Sequence, residues 1–254
     1  MSIIFNGRAD AGATALSYSW QEAYRADSIN VVPCPDGLGN MFRFSCKPQD
    51  GFVNGAYRAE LSTHIAGPLS EEWYHQEIFI PQSDIPNYMT NCLIGQWHSV
   101  DEGAESYGRQ PPVEFVLENG QTLVISKRYD ATATSIQSPN SVTTVELARY
   151  PIRSMLGRRV PIVVHAKWDW GAAGLIELWI DHHLVLSQIG PIGFNDAQGP
   201  YIKIGLSHVV AFGNGARELA MYNSGVKIGD AASGYFEIAG RHPNRKTVVQ
   251  SGLF

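Results

Sequence analysis

Three short segments carry polar side chains at every second residue, the spacing at which a β-strand places them on one face. In Tyr57-Arg58-Ala59-Glu60-Leu61-Ser62, alternation groups Arg58, Glu60 and Ser62 against Tyr57, Ala59 and Leu61. In Ile94-Gly95-Gln96-Trp97-His98 it groups Gln96 with His98, opposite Gly95 and Trp97. In the stretch from Tyr201 to His208 it groups Tyr201, Lys203, Gly205 and Ser207, opposite Ile202, Ile204, Leu206 and His208. If the three polar faces belong to one sheet, Arg58, Glu60, Gln96, His98, Tyr201 and Lys203 share a surface. That set suits a uronic-acid polymer. Guanidinium and ammonium groups pair with carboxylates, Arg in bidentate fashion. An amide and an imidazole can donate hydrogen bonds to a carboxylate whose charge is spreading into an enolate-like intermediate. Histidine, with an ordinary pKa of ~6.5, is also suited to proton transfer.

The elements that must position these groups read as strands. Runs rich in Val, Ile, Tyr, Phe and Trp recur at residues 40–45, 56–62, 73–80, 92–99, 112–117, 122–129, 159–168, 174–180, 201–210 and 219–228. Asn119-Gly120 separates two of them and predicts a tight hairpin, because both residues accept the positive φ of a type I′ turn. Helical periodicity is sparse, and only 21–25 and 141–156 admit a short helix. The 25 Gly and 14 Pro are spread along the chain, as turns between short strands require. Stretches 101–111 and 131–141 read as long loops. No repeat or composition break divides the 254 residues, so one domain over 1–254 is expected.

Composition excludes several classes. With 44% hydrophobic and 17% charged residues the chain is no disordered protein. A net charge of −5 without a basic stripe argues against nucleic acid as a partner. No apolar run approaches the ~20 residues of a membrane helix, so no membrane partner is expected. Cys34, Cys46 and Cys92 lack metal-site spacing; a Cys34–Cys46 bridge is conceivable, with three buried thiols preferred. The first residues contain no basic-then-apolar leader, so no secretory signal is visible.

Arg58-Ala59-Glu60-Leu61, Gln96-Trp97-His98 and Tyr201-Ile202-Lys203-Ile204-Gly205, in that order, resemble the three-strand signature of jelly-roll polysaccharide lyases. These are the alginate, glucuronan and heparin lyase I groups. Residues 72–81, 111–128, 165–168 and 176–181 are also similar to the glucuronan/heparin-type branch, so the likeness covers most of 42–230. The resemblance implies an all-β, concanavalin A-like jelly-roll sandwich of two antiparallel sheets with a concave substrate groove. It implies β-elimination on an acidic polysaccharide, acting outside the cell, by a monomer. No cofactor is implied, although some members of the heparin group carry a structural calcium. Carried over, Arg58 and Gln96 bind or neutralise the uronate carboxylate and His98 neutralises it or acts as base. Lys203 helps hold the chain, with Glu60, Ser207, Lys127 and Arg109 as further expected substrate contacts.

One departure matters. In many of these lyases the third motif ends in a Tyr that serves as general acid; this chain has Ser207 there, followed by His208. The proton donor must be another group. His98 comes first and Tyr201 second, with Tyr107, Tyr129 and His64 as further candidates, and His208 only if a bulge re-aims it. The alternative is a jelly roll that binds acidic glycan without turnover. A glycosidase would need two facing carboxylates, and Glu60 has no evident partner.

Each motif also has a plainer reading. Arg58 with Glu60 can be a cross-strand ion pair, His98 a structural histidine, Lys203 a stem lying along a sheet, and Tyr201 a packed strand start. His182-His183 reads as a hairpin tip rather than a metal pair, because adjacent strand residues point apart. Trp97, Trp168, Trp170 and Trp179 are expected in the core, and Glu71-Glu72 in a solvated loop.

Overall fold

The alternating segments form sixteen strands in a computed structural model that describes residues 2–82, 91–100, 110–130, 132, 141–208 and 217–242. In chain order these are β1 (Ile3–Asn6), β2 (Trp20–Ala23), β3 (Ile29–Pro33), β4 (Asn40–Cys46), β5 (Tyr57–Ile65) and β6 (Glu71–Phe79). They continue with β7 (Cys92–His98), β8 (Val113–Glu118), β9 (Thr122–Tyr129), β10 (Thr143–Pro151), β11 (Arg159–Lys167) and β12 (Leu175–Ile180). Last come β13 (His183–Ile189), β14 (Tyr201–His208), β15 (Leu219–Asn223), β16 (Lys227–Gly229) and a short helix, α1 (Tyr235–Ala239).

Two antiparallel sheets result. One runs β13-β12-β11-β6-β15-β4-β3, with β16 also on β6 and β1 on β16; the other runs β10-β9-β8-β7-β14-β5-β2. This is the expected all-β jelly-roll sandwich. Its core lies between the sheets. Phe42, Phe44, Ile78, Ile162 and Val164 come from the first; Leu61, Trp97, Phe115, Ile125, Ile204 and Leu206 from the second. Each such side chain contributes roughly 1.5–3 kcal/mol by leaving water. Trp97 is the anchor that matters for the site. Its ring sits edge-on to Tyr74 at 5.1 Å and Phe115 at 5.7 Å, which fixes the phase of β7 and turns Gln96 and His98 outward.

The outer face of the nine-stranded sheet buries a second cluster, Trp73, Val163, Trp179, Tyr235 and Ile238, beneath α1. Trp168 joins the main core as expected, whereas Trp170 is only half-buried. Asp181 and His182 take φ of 52° and 65° between β12 and β13, so the hairpin tip lies one residue earlier than the expected His182-His183, and His183 opens β13. All three cysteines are buried and free, so Cys34 and Cys46 are not bridged.

Three expectations are corrected. Residues 21–25 are not helical: Trp20–Ala23 forms the edge strand β2, paired with β5. Residues 141–156 hold strand β10 and only one turn of 3-10 helix, Ile152–Met155. In both, pairing with a neighbouring strand overrides weak local preference. Glu71 and Glu72 are no solvated loop. They open β6, and Glu72 is buried, accepting from Tyr74 and Ser70 and bonded to His64 Nε2.

Candidate active site

Register brings the three motifs together on the outer face of the seven-stranded sheet. Arg58 lies opposite Ser207 and Ser62 opposite Lys203 across β5 and β14. Lys203 lies opposite Gln96 and Tyr201 opposite His98 across β14 and β7. Directly opposed residues of an antiparallel pair share a face. Strand β2 adds two groups: Trp20 opposite Ser62 and Glu22 opposite Glu60. Sequence reasoning missed both: Glu22 falls in 21–25, where the pattern admits a short helix, and Trp20 just precedes it. The two-residue spacing of Trp20 and Glu22 was the available signal.

Gly205 departs from simple alternation. Its φ is 124°, and a Cβ there would stand 2.2 Å from the Ala59 carbonyl oxygen and 2.6 Å from the Phe44 ring. It therefore turns toward the core, at the register slip between Ile204 and Ser207. Alternation is intact beyond it. Ser207 stays opposite Arg58, and His208 pairs with Tyr57 and Cys92 on the inner side. The bulge does not re-aim His208 to the groove.

Charges on this face are paired. Glu60 is only 2% exposed; its Oε1 accepts from Gln96 Nε2 at 2.8 Å and its Oε2 from Arg58 Nη1 at 2.7 Å. Lys203 Nζ donates to Glu22 Oε1 at 3.0 Å and stands 3.6 Å from Glu60 Oε2. Arg58 Nη1 is also 3.3 Å from Glu22 Oε2. Two cations and two carboxylates thus form one compact, balanced cluster. Glu60, expected to contact substrate, has its oxygens engaged and instead fixes Gln96 and Arg58.

His98 and Tyr201 stand beside this cluster with ring centroids 5.4 Å apart. His98 Nδ1 is 2.9 Å from the Ser99 carbonyl oxygen, which can only accept, so Nδ1 carries the proton and Nε2 keeps its lone pair. Burial pushes the His98 pKa below its ordinary value, with the Lys203 and Arg58 cations adding to the effect against the Ser99 bond. Burial, reinforced by Glu22 and Glu60, pushes the Tyr201 phenol up to about 12. At neutral pH the pair is a free imidazole base facing a protonated phenol.

Several expected residues lie elsewhere. Lys127 pairs with core-facing Val113, so its side chain points between the sheets, with Nζ 5.6 Å from the Tyr129 ring centroid. It is off the groove face, and Tyr129 shares its side of β9. His64 sits at the slip between β5 and β14 and is held by Glu72 of the other sheet. Arg109 and Tyr107 fall outside the described residues. Among the described residues no group of three or more His, Cys, Asp or Glu could hold a metal ion.

A family model described as polysaccharide lyase matches residues 12–222. Sequence comparison with curated proteins finds no match. Among solved structures, an endo-β-1,4-glucuronan lyase from Trichoderma reesei superposes with a TM-score of 0.69 at 15% identity, covering 90% of this chain and 96% of the other. A family 7 alginate lyase in complex with substrate gives 0.56 at 11%, over 84% and 85%. The catalytic domain of a glycoside hydrolase family 131 protein from Coprinopsis cinerea gives 0.57 at 15%, over 92% and 96%. At such identities the superpositions establish the fold, which lyases and a hydrolase share.

Proposed function

Starting from a chain that belongs to the polysaccharide lyase family, we propose that it cleaves a uronate-containing glycan by β-elimination, with His98 as base and Tyr201 as acid. The uronate carboxylate lies over Gln96 and the Arg58–Lys203 cluster, whose fixed donors stabilise it as it becomes enolate-like. His98 Nε2 takes the C5 proton. The released electron pair forms the C4–C5 double bond, the C4–O4 bond breaks, and O4 leaves with the Tyr201 phenolic proton. Solvent exchange then returns His98 to the free base and Tyr201 to the phenol.

One observation carries this reading. The Ser99 carbonyl holds the His98 proton on Nδ1 and leaves the lone pair on Nε2, and the residue opposed to His98 across the strand pair is a protonated phenol. The groove therefore keeps a proton donor although Ser207 stands where the motif Tyr is expected. Glu60 remains unsuited to hydrolytic acid–base work because both of its oxygens are bonded.

The test is incubation with a panel of uronate polymers while following the ultraviolet absorbance of the new C4–C5 double bond. Rising absorbance on at least one polymer, reduced ~100-fold or more in His98→Ala, is the expected result. New reducing ends without that absorbance would replace the proposal by hydrolysis. Retention on an immobilised glycan with neither signal would replace it by binding alone.

A further inference from the structure

Beside Tyr201 lies a hollow of about 320 Å³ walled by Trp20, Gln21, Glu22, Ser62, Ile65, Val100 and Tyr201 itself. Its size falls in the lower range of small-molecule sites. Trp20 is 49% exposed, and its ring tilts toward Tyr201 at 5.7 Å between centroids. A half-exposed indole on an edge strand is a large apolar face kept available. Next to it the Ser62 hydroxyl is buried without a hydrogen-bond partner among the described residues. Ile65 and Val100 add apolar side chains to the wall, and Gln21 adds an uncharged polar one.

Charge decides which sugar fits. Among the described residues, the only carboxylate or cation lining this hollow is Glu22. The four-charge cluster behind it, Arg58, Lys203, Glu22 and Glu60, is already balanced by contacts of 2.7–3.6 Å. One substrate carboxylate over Gln96 takes the ensemble to a net −1. A second, on the neighbouring sugar, would take it to −2 and meet Glu22 first. Farther along the same face, Arg128 is bonded to Glu114 at 2.6 Å, so it offers no spare positive charge either. A neutral sugar meets none of this opposition, and its C–H face can stack on an indole.

Resting on the β-elimination reading above, we propose that the hollow is the subsite for the leaving sugar and that this sugar is uncharged. His98, Tyr201 and Trp20 then follow the substrate in order: C5 of the uronate, the bridging O4, and the ring that departs with it. The natural substrate is a glycan in which uronates are separated by neutral sugars, rather than a homopolymer of uronates.

The experiment compares kcat/KM, from double-bond absorbance at moderate ionic strength, on two polymer sets. Glucuronan, alginate and pectate are the homopolymers; hyaluronan, heparosan and deacylated gellan carry uronates between uncharged sugars. The expected result is at least one spaced polymer cleaved ~10-fold or more better than every homopolymer. Trp20→Ala should raise KM on that polymer ~10-fold with kcat within about twofold, and Trp20→Phe should recover most of the loss. An unchanged melting temperature for Trp20→Ala, expected for an exposed edge side chain, excludes misfolding. A homopolymer as best substrate, or wild-type KM in Trp20→Ala, would overturn the subsite while leaving β-elimination standing. Absence of double-bond absorbance on all six polymers, by contrast, would overturn the β-elimination reading itself.

Discussion

Removal of His98 tests the proposed chemistry most directly, because its two nitrogens have separate tasks. Nδ1 is committed to the Ser99 carbonyl at 2.9 Å, leaving Nε2 for the C5 proton. His98→Ala removes the base but leaves the Arg58–Glu60–Lys203–Glu22 cluster in place. A positioned general base contributes ~10²–10⁴ in rate, or about 3–5.5 kcal/mol of barrier. The pH dependence sharpens the test. His98 must be neutral to accept a proton, and burial lowers its pKa, so the acid limb of kcat/KM should have its midpoint below ~6.5. Tyr201 must be protonated to donate, and its pKa of about 12 keeps the alkaline side flat through pH 10. Stopped or continuous absorbance assays from pH 4 to 10 on wild type, His98→Ala and Tyr201→Phe would show this. His98→Ala should lose the acid limb along with ~100-fold or more in rate, and added imidazole should restore part of it. Tyr201→Phe should lose rate and keep the limb. An acid limb that survives in His98→Ala would assign the base elsewhere, and an alkaline limb near pH 8 in wild type would remove Tyr201 as the acid.

Three further outcomes follow from the same contacts. Gly205→Ala should destabilise the fold by more than ~3 kcal/mol in urea unfolding, since it combines a strained φ of 124° with backbone and core clashes; a loss under ~1 kcal/mol would contradict that geometry. Glu60→Gln should cost ~3 kcal/mol of stability by leaving the buried Lys203 and Arg58 short of a partner, and should lower kcat as well; a stable, fully active variant would make the cluster dispensable. His75, buried beside Arg8, has its pKa lowered to about 3 chiefly by burial. Below pH ~6.5 the unfolded chain binds a proton that the folded chain refuses. Folding stability should therefore fall by on the order of 4 kcal/mol between pH 6.5 and 3, and His75→Gln should flatten that part of the melting-temperature profile.

Period-two alternation made the strands and the outward set Arg58, Gln96, His98, Tyr201 and Lys203 legible in the sequence, because one buried residue such as Trp97 fixes the phase of a whole strand. The same rule failed where pairing geometry intervened. Gly205 turned inward at a register slip, which only its tolerance of positive φ hints at. Lys127 reads as a groove cation by type, yet its partner Val113 commits it to the interior. Trp20 and Glu22 were hidden for a different reason: four residues are too few for a period to emerge, and their strand exists only because β5 offers a free edge. Which cation pairs with which carboxylate lies beyond any one-dimensional pattern.

That pairing explains why a carboxylate is buried in a surface proposed to receive carboxylates. Arg58 and Lys203 alone would repel one another and turn toward solvent; Glu60, with bonds to Arg58 and Gln96 and Lys203 within 3.6 Å, holds all three in one arrangement. Because Glu60 Oε1 only accepts, the Gln96 amide must present its nitrogen to it, and the flip of that amide is settled before substrate arrives. The cluster thus gives up net charge for fixed direction. A transition state gains from donors that are already oriented where charge develops, since they need not reorganise as it forms. Loose, unpaired cations would bind any polyanion in its ground state about as well as in the transition state, which lowers KM without raising kcat. On this argument the balanced cluster suits the proposed recognition of one uronate among uncharged neighbours, and raising salt should weaken turnover far less than it weakens nonspecific retention on a polyanion column.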